Sequence, residues 1–127
     1  MNVMKFGGTS LADARCIHLV SELVAAAITH DPHTVVVVSA LGDTTDDLLQ
    51  ISDYAAQRDE RYADLLDSLE TRHRDIAAAV ISPHRDSAHD QLEIWFKNLH
   101  DVIHGIFLVR ECSPRTRDYV LSFGERL

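Results

Sequence analysis

The stretch VMKFGGTS at residues 3–10, near the start of the sequence, is the most informative one for the architecture. A short apolar run leads to two adjacent glycines, and a long amphipathic pattern follows them. This order predicts a strand at residues 2–6, a tight turn, and a helix that Ser10 opens. Because Gly7 and Gly8 have no Cβ, an anion can approach their N–H groups, and the helix start adds unpaired amides.

Lys5 places a mobile positive charge beside this turn, which suits the outer oxygens of a nucleotide. The stretch matches neither common nucleotide-binding motif, because its lysine precedes the glycines and its glycines are adjacent. Two interpretations therefore stay open on these residues alone. Gly7 and Gly8 form either a simple turn after a strand, which is the commoner use of such a pair, or a phosphate-binding loop.

Composition sets limits on the class of protein. The 127 residues allow one domain or part of a larger one, and 46% hydrophobic with 25% charged residues is typical of a soluble globular chain. A net charge of −8 argues against a nucleic-acid-binding surface, so we expect no nucleic-acid partner. The longest apolar runs, such as residues 23–28 and 76–81, are far shorter than the roughly 20 residues that span a bilayer, which predicts no membrane segment. Cys16 and Cys112 are isolated and no signal peptide precedes them, which predicts reduced thiols and a cytoplasmic protein.

Four consecutive valines at residues 35–38 mark the clearest strand, predicted over residues 34–39. A continuous β-branched run is typical of a parallel strand that is covered on both faces. Strand, helix and strand then form a crossover unit, and the loop at residues 39–45 leaves the same sheet edge as the glycine turn. In open α/β sheets, ligands bind along that edge.

Helices dominate the remainder of the chain. The first is expected to run from a Ser10–Asp13 capping box to His30, and the second to begin with Thr45 as its N-cap. Further apolar stripes predict a helix that ends at Ser82-Pro83, one at about residues 86–110, and one from Ser113-Pro114 to Gly124. Two strands with four or five helices leave unpaired sheet edges, which predicts a truncated fold.

Three stretches together resemble one family. They are KFGGTS at residues 5–10, VSA at 38–40 with TTD at 44–46, and SFGERL at 122–127. In this order they resemble the N-terminal half of the aspartokinase catalytic domain, within the amino acid kinase family, and the resemblance covers the whole chain. It implies an α/β three-layer fold, of which residues 1–127 would hold a few parallel strands and a helix-rich insertion. The continuation LADARC at residues 11–16 looks more like the kinase part of bifunctional aspartokinase/homoserine dehydrogenases.

The resemblance implies transfer of the γ-phosphoryl group of ATP to the β-carboxylate of L-aspartate, on the route to lysine, threonine and methionine. Lys5 would contact the transferring phosphate, and Phe6, Gly7 and Gly8 would complete the ATP contacts. The aspartate site would contain Ser39, Thr45 and Glu125, with Glu125 meeting the substrate ammonium. The resemblance further implies a homo-oligomer and Mg²⁺ held mainly by ATP, with no protein ligand.

Each of the three aspartate-site residues also has a structural interpretation. Ser39 could satisfy a backbone group at the end of its strand, Thr45 could cap a helix, and Glu125 could compensate a helix dipole. The histidines likewise allow two interpretations, as metal ligands or as ordinary side chains. His100 and His104 are four residues apart, with His84 and His89 upstream, but H-E-x-x-H is absent and we predict no metal site.

The groups that the family places after the Phe-Gly-Glu segment would complete the site. They are the adenine pocket, an arginine for the substrate α-carboxylate, a catalytic aspartate and regulatory ACT domains. We therefore predict that residues 1–127 are a truncated portion of the catalytic domain, inactive alone. Two alternatives remain: a non-catalytic, self-associating module, and an amino acid kinase with another acceptor such as glutamate or carbamate.

Overall fold

A computed structural model describes residues 2–82 and 86–127 as an α/β arrangement, which confirms the predicted fold class. Five helices and two strands are found in these ranges. A short 3₁₀ helix at Gly8–Leu11 separates the first strand from the first helix. The elements in chain order are β1 Val3–Phe6, α1 Ala14–His30, β2 Val35–Val38, α2 Thr44–Ala56, α3 Arg61–Val80, α4 Asp86–Val109 and α5 Pro114–Leu121.

The two strands run parallel, as the strand-helix-strand order requires. Their register pairs Val3 with Val35 and Phe6 with Val38. The carboxyl ends of β1 and β2 therefore lie side by side, and the chain leaves both strands at one edge of the sheet. This edge carries the glycine turn and the loop at residues 39–45.

The prediction that β2 is covered on both faces is wrong for the described residues. All four of its valines are exposed, from 37% at Val36 to 53% at Val38. Helix α1 also buries none of its residues completely, and Leu19 and Leu23 on it are more than half exposed. A β-branched run reports strand preference, but burial depends on what packs against the strand, and among the described residues β2 pairs only with β1.

Helices α2 to α5 enclose the hydrophobic core. The stripes predicted on α3 and α4 supply much of it, and α5 closes one side with Val120 and the following Phe123. Each of these core side chains is at most 1% exposed: Leu48, Ile51, Ala55, Leu66, Leu69, Phe96, Leu99, Ile103, Val120 and Phe123. The apolar periodicity of α3 and α4 thus predicted their buried faces correctly.

Two predicted helix starts are displaced by local chemistry. Asp13, rather than Ser10, caps α1, since its Oδ1 accepts a hydrogen bond of 2.8 Å from the amide of Cys16. This backbone hydrogen bond lowers the pKa of the Asp13 carboxyl from its ordinary value. Helix α2 begins at Thr44, with Asp43 before it, so Thr45 lies in the first turn and is not the N-cap.

Helix ends also differ slightly from the predictions. Helix α3 ends at Val80, and the predicted stop at Pro83 lies outside the described residues, as does His84. Helix α5 begins as predicted, with Ser113 Oγ accepting a hydrogen bond of 3.2 Å from the amide of Thr116. It ends at Leu121, before Gly124, because the chain there closes a series of turns.

No helix in the described ranges has the length and apolar character that crossing a membrane requires.

Candidate active site

The glycine turn and the loop after β2 are joined by main-chain hydrogen bonds. The amide of Ser39 donates to the carbonyl oxygen of Phe6 over 3.2 Å, and the amide of Gly42 donates to that of Gly8 over 3.0 Å. Two segments that lie more than 30 residues apart in the sequence therefore form one continuous edge. The sequence predicted both halves of a ligand site at this edge of the sheet.

Gly8 is required by the close approach of these two loops. A Cβ at this position would lie 2.7 Å from the carbonyl oxygen of Gly42 and 3.1 Å from that of Ala40, and backbone atoms cannot easily yield. Gly42 itself has a φ of +51°, in the left-handed region that favours glycine. A Cβ at Gly7, in contrast, would meet nothing within 4 Å, so the space beside Gly7 is open to a ligand.

Lys5 lies at the end of β1, directly before this turn. Its side chain is exposed, and it forms no hydrogen bond or ion pair with another residue of the ranges 2–82 and 86–127. Phe6 is half-buried and contributes its carbonyl oxygen to the contact between the loops. A lysine without a partner among the described residues, next to open glycine backbone, leaves a positive charge available for an anion.

The far end of the 39–45 loop is fixed by two residues whose role the sequence did not reveal. Thr44 is fully buried, and its hydroxyl donates to the carbonyl oxygen of Leu41 over 2.6 Å. Arg72 on α3 donates to Thr44 Oγ1 over 3.2 Å and to Asp47 Oδ2 over 2.7 Å. Because Arg72 lies 28 residues beyond Thr44, no local pattern predicts this contact. Thr45 beside it remains exposed and Ser39 is half-buried, so neither hydroxyl is enclosed by the core.

Glu125 reaches the same region through the glycine before it. A Cβ on Gly124 would lie 3.2 Å from the Cβ of Ala40, so residues 122–127 pack directly on the loop after β2. Phe123 is fully buried and anchors this segment in the core, while Glu125 is exposed. The structure thus brings the three predicted segments together by backbone packing. Within the described ranges, no hydrogen bond joins the side chains of Lys5, Ser39, Thr45 and Glu125 to one another.

The histidines weighed as metal ligands have other contacts. His100 Nε2 lies 2.7 Å from Glu70 Oε2, and His104 stacks on Phe107. Burial raises the pKa of Glu70, but hydrogen bonds from His100 and Arg74 outweigh it and leave that pKa below its ordinary value. No group of three or more His, Cys, Asp or Glu side chains that could hold a metal ion occurs among the residues described.

The model of the amino acid kinase family matches residues 1–127. The chain belongs to the amino acid kinase family.

Aspartokinases are among its curated relatives, which confirms the resemblance found in the sequence. The chain is 31% identical to "Aspartokinase 2, chloroplastic" of Arabidopsis thaliana, over 97% of this chain and 22% of the relative. It is 30% identical to "Bifunctional aspartokinase/homoserine dehydrogenase 1, chloroplastic" of Zea mays, over 98% of this chain and 13% of the relative. It is 52% identical to the aspartokinase of Mycobacterium tuberculosis, over 39% of this chain and 12% of the relative. The chain therefore spans about a fifth, or less, of the length of these relatives.

Proposed function

We propose that residues 1–127 form the N-terminal portion of an aspartate kinase catalytic domain. The reaction is transfer of the γ-phosphoryl group of ATP to the β-carboxylate of L-aspartate, in the biosynthesis of lysine, threonine and methionine in the cytoplasm. The observation that carries the proposal is the contact at Gly8, where the glycine turn and the 39–45 loop meet so closely that only glycine fits. This contact supports the proposal because the open backbone at Gly7 adjoins the loop that carries Ser39 and Thr45.

Phosphoryl transfer needs positioning and charge neutralisation more than covalent chemistry. In this proposal the ammonium of Lys5 meets the transferring phosphate, and the amides of Gly7 and Gly8 with the backbone of Phe6 hold the nucleotide oxygens. Mg²⁺ would enter with ATP, held mainly by the ATP oxygens, and would neutralise phosphate charge.

The aspartate half of the site uses different chemistry. The carboxylate of Glu125 is exposed and would accept a charge-assisted hydrogen bond from the substrate ammonium. Ser39 and Thr45 would hold the substrate carboxylate through their hydroxyl groups. Because both loops leave the sheet at one edge, the two substrates would meet there. We propose that further residues complete the site, that the native enzyme is a homo-oligomer, and that residues 1–127 alone do not turn over.

The experiment is a heteronuclear NMR titration of the ¹⁵N-labelled chain. MgATP should shift the amide signals of Gly7 and Gly8, and L-aspartate should shift those of Ser39, Thr45 and Glu125. The chain offers a matched control, because its only two lysines are Lys5 and Lys97 and both are exposed. We expect Lys5→Met to weaken the MgATP response at least about fivefold, the loss of one charged contact, and Lys97→Met to leave it unchanged. Equal responses in both variants would contradict the assignment of Lys5.

A coupled assay for ADP release tests the remaining parts of the proposal. With MgATP and L-aspartate, the chain alone should give no turnover above background, and turnover at an ordinary enzymatic rate would contradict its incompleteness. L-Glutamate provides the comparison for acceptor choice in the NMR titration. If glutamate shifted the Ser39 and Thr45 amides at lower concentration than aspartate, another amino acid kinase would be the better description.

One observation favours a second candidate function, a non-catalytic module that associates with itself. The four valines of β2 are 37–53% exposed, and Val3 beside them is 58% exposed. An exposed apolar strand in a two-stranded sheet is a template for pairing with another chain. Size-exclusion chromatography with light scattering distinguishes the candidates, because a concentration-independent monomer would rule out self-association.

A further inference from the structure

A cavity of about 350 Å³ lies where α3 and α4 meet the start of α1, Leu41 of the loop after β2, and Leu127. Its volume is within the range of roughly 300–1,000 Å³ found for small-molecule sites. Its walls are mostly aliphatic, with Ile76 and Ala77 from α3, Leu92 from α4 and Leu127. The one tryptophan of the chain, Trp95, also lines it. Such a lining favours an uncharged, largely apolar ligand.

His73 is the polar exception deep in this wall. Its side chain is 2% exposed, and its Nδ1 lies 2.8 Å from the carbonyl oxygen of Leu69. A carbonyl oxygen can only accept, so Nδ1 carries the proton and Nε2 presents a lone pair. Nε2 has no hydrogen-bond partner among the described residues. Burial lowers the pKa of His73 from its ordinary value, which keeps the ring neutral and Nε2 an acceptor at neutral pH.

An unpaired buried acceptor is costly, and a donor group on a bound ligand would satisfy it. Among the described residues of the lining, the other polar side-chain groups are Gln91, which is exposed, and the indole nitrogen of Trp95. A ligand with an apolar body and a single donor satisfies Nε2 without leaving other polar groups unpaired. Less than 1 Å² of Nε2 is accessible to solvent, so a hydrogen bond from a ligand to this atom requires the cavity walls to move apart.

We propose that this cavity binds a small, neutral, aromatic molecule carrying one hydroxyl group, which donates a hydrogen bond to Nε2 of His73. Phe96 packs edge-on against the imidazole, with ring centroids 5.6 Å apart, and holds the ring in place for that bond. None of the predicted aspartate and ATP contacts lines this cavity, although Leu41 belongs to the same loop as Ser39 and Thr45, and the inference does not depend on those contacts.

The test compares two probes of matched shape, 4-ethylphenol and 4-ethyltoluene, with the full 127-residue chain. Transfer from water to an apolar space alone favours 4-ethyltoluene, because it has no hydroxyl group to desolvate. We expect the opposite order, with 4-ethylphenol binding about three- to tenfold more tightly, as one buried hydrogen bond provides. Quenching of Trp95 fluorescence and ¹⁵N shifts of the α3 and α4 amides report binding at this cavity.

Two variants locate the site and the acceptor. Ala77→Met fills the cavity and should abolish binding of both probes, whereas Ala79→Met, at an exposed position two residues along α3, should leave binding intact. His73→Phe keeps an aromatic ring but removes the acceptor, and it should abolish the preference for 4-ethylphenol. Circular dichroism confirms that each variant is folded.

The outcomes separate clearly. Tighter binding of 4-ethylphenol that is lost in His73→Phe supports the proposal. Absence of binding by either probe, tighter binding of 4-ethyltoluene, or a preference that survives in His73→Phe would overturn it. If Ala77→Met does not fold, the pair of probes on the unaltered chain and on His73→Phe still decides the question.

Discussion

Two regions of this chain bury their apolar residues to very different extents. In the helical core of α2 to α5, side chains such as Phe96 and Leu99 are at most 1% exposed. In the sheet unit of β1, α1 and β2, all four valines of β2 are more than a third exposed, and α1 buries no residue completely. Since hydrophobic stabilisation scales with the apolar area removed from water, the core supplies most of the stability.

The predicted substrate contacts lie mainly on the less buried region. Lys5, Gly7 and Gly8 belong to the sheet unit, and the loop after β2 connects it to the core. Arg72 holds one end of that loop through Thr44, and Gly124 packs against Ala40 near its start. The core therefore acts as a rigid support for an edge that has little stability of its own. Three predictions test this division.

The largest effect should come from opening the core. Phe96→Ala should lower the free energy of unfolding by about 3–5 kcal/mol, because it removes a buried ring and leaves a cavity. Val37→Ala should cost less than about 1 kcal/mol, because that side chain is 41% exposed in the structure. Urea unfolding followed by circular dichroism measures both.

Val37→Ala also tests whether the sheet unit is exposed in solution. If it costs as much as Phe96→Ala, then the valines of β2 are buried in solution and the sheet unit is covered by another surface. Repeating the measurement at several protein concentrations identifies that surface, because burial by a second copy makes the midpoint depend on concentration.

The sequence predicted these two regions unequally, for physical reasons. Apolar periodicity decided which faces of α3 and α4 are buried, because a helix repeats its contacts every three to four residues. Helix starts were harder to place, because Asp43, Thr44 and Thr45 are adjacent and each is a suitable cap. The exposure of β2 could not be predicted at all from its valines, since a strand does not specify the layer that covers it.

Some residues of the candidate site could likewise be predicted from the sequence, and others could not. Gly7 and Gly8 could be predicted as phosphate-binding candidates because a strand, a glycine pair and a helix follow one another in the sequence. The contribution of Arg72 was missed, since it depends on how α3 packs against the start of α2. The distinct roles of the two glycines likewise appeared only in the structure, where one faces a carbonyl oxygen and the other faces open space.

An effect of intermediate size should separate these two glycines. Gly8→Ala should lower the free energy of unfolding by about 1–3 kcal/mol, the usual cost of overpacking, because its Cβ would lie 2.7 Å from the carbonyl oxygen of Gly42. Gly7→Ala should leave stability nearly unchanged, since nothing lies within 4 Å of the added atom. Thermal unfolding and ¹⁵N NMR spectra measure stability and the integrity of the loop.

Gly105→Ala is the control for this pair. Gly105 lies within α4 and also has open space around an added Cβ, so alanine there should stabilise the chain by about 0.5–1 kcal/mol through its helix preference. If Gly8→Ala were as well tolerated as Gly7→Ala, the two loops would not be in the contact that joins the sheet edge to the core.

The smallest effect concerns pH and the core histidine. Burial lowers the pKa of folded His73 below its ordinary value of 6.5, with neighbouring Arg72 lowering it and Asp47 raising it by smaller amounts. The unfolded chain therefore binds the proton more readily, so stability is fully present above about pH 6.5 and falls as the pH drops toward the folded pKa. Between pH 6.5 and 5.5 the loss from one such group is at most about 1 kcal/mol.

Urea unfolding across this range should show that loss in the unaltered chain and in His18→Gln, whose histidine is exposed, but not in His73→Phe. If the pH dependence of His73→Phe matched that of His18→Gln, the imidazole would be accessible to protons in the folded chain, and the core would be more open at this point than its 2% exposure indicates.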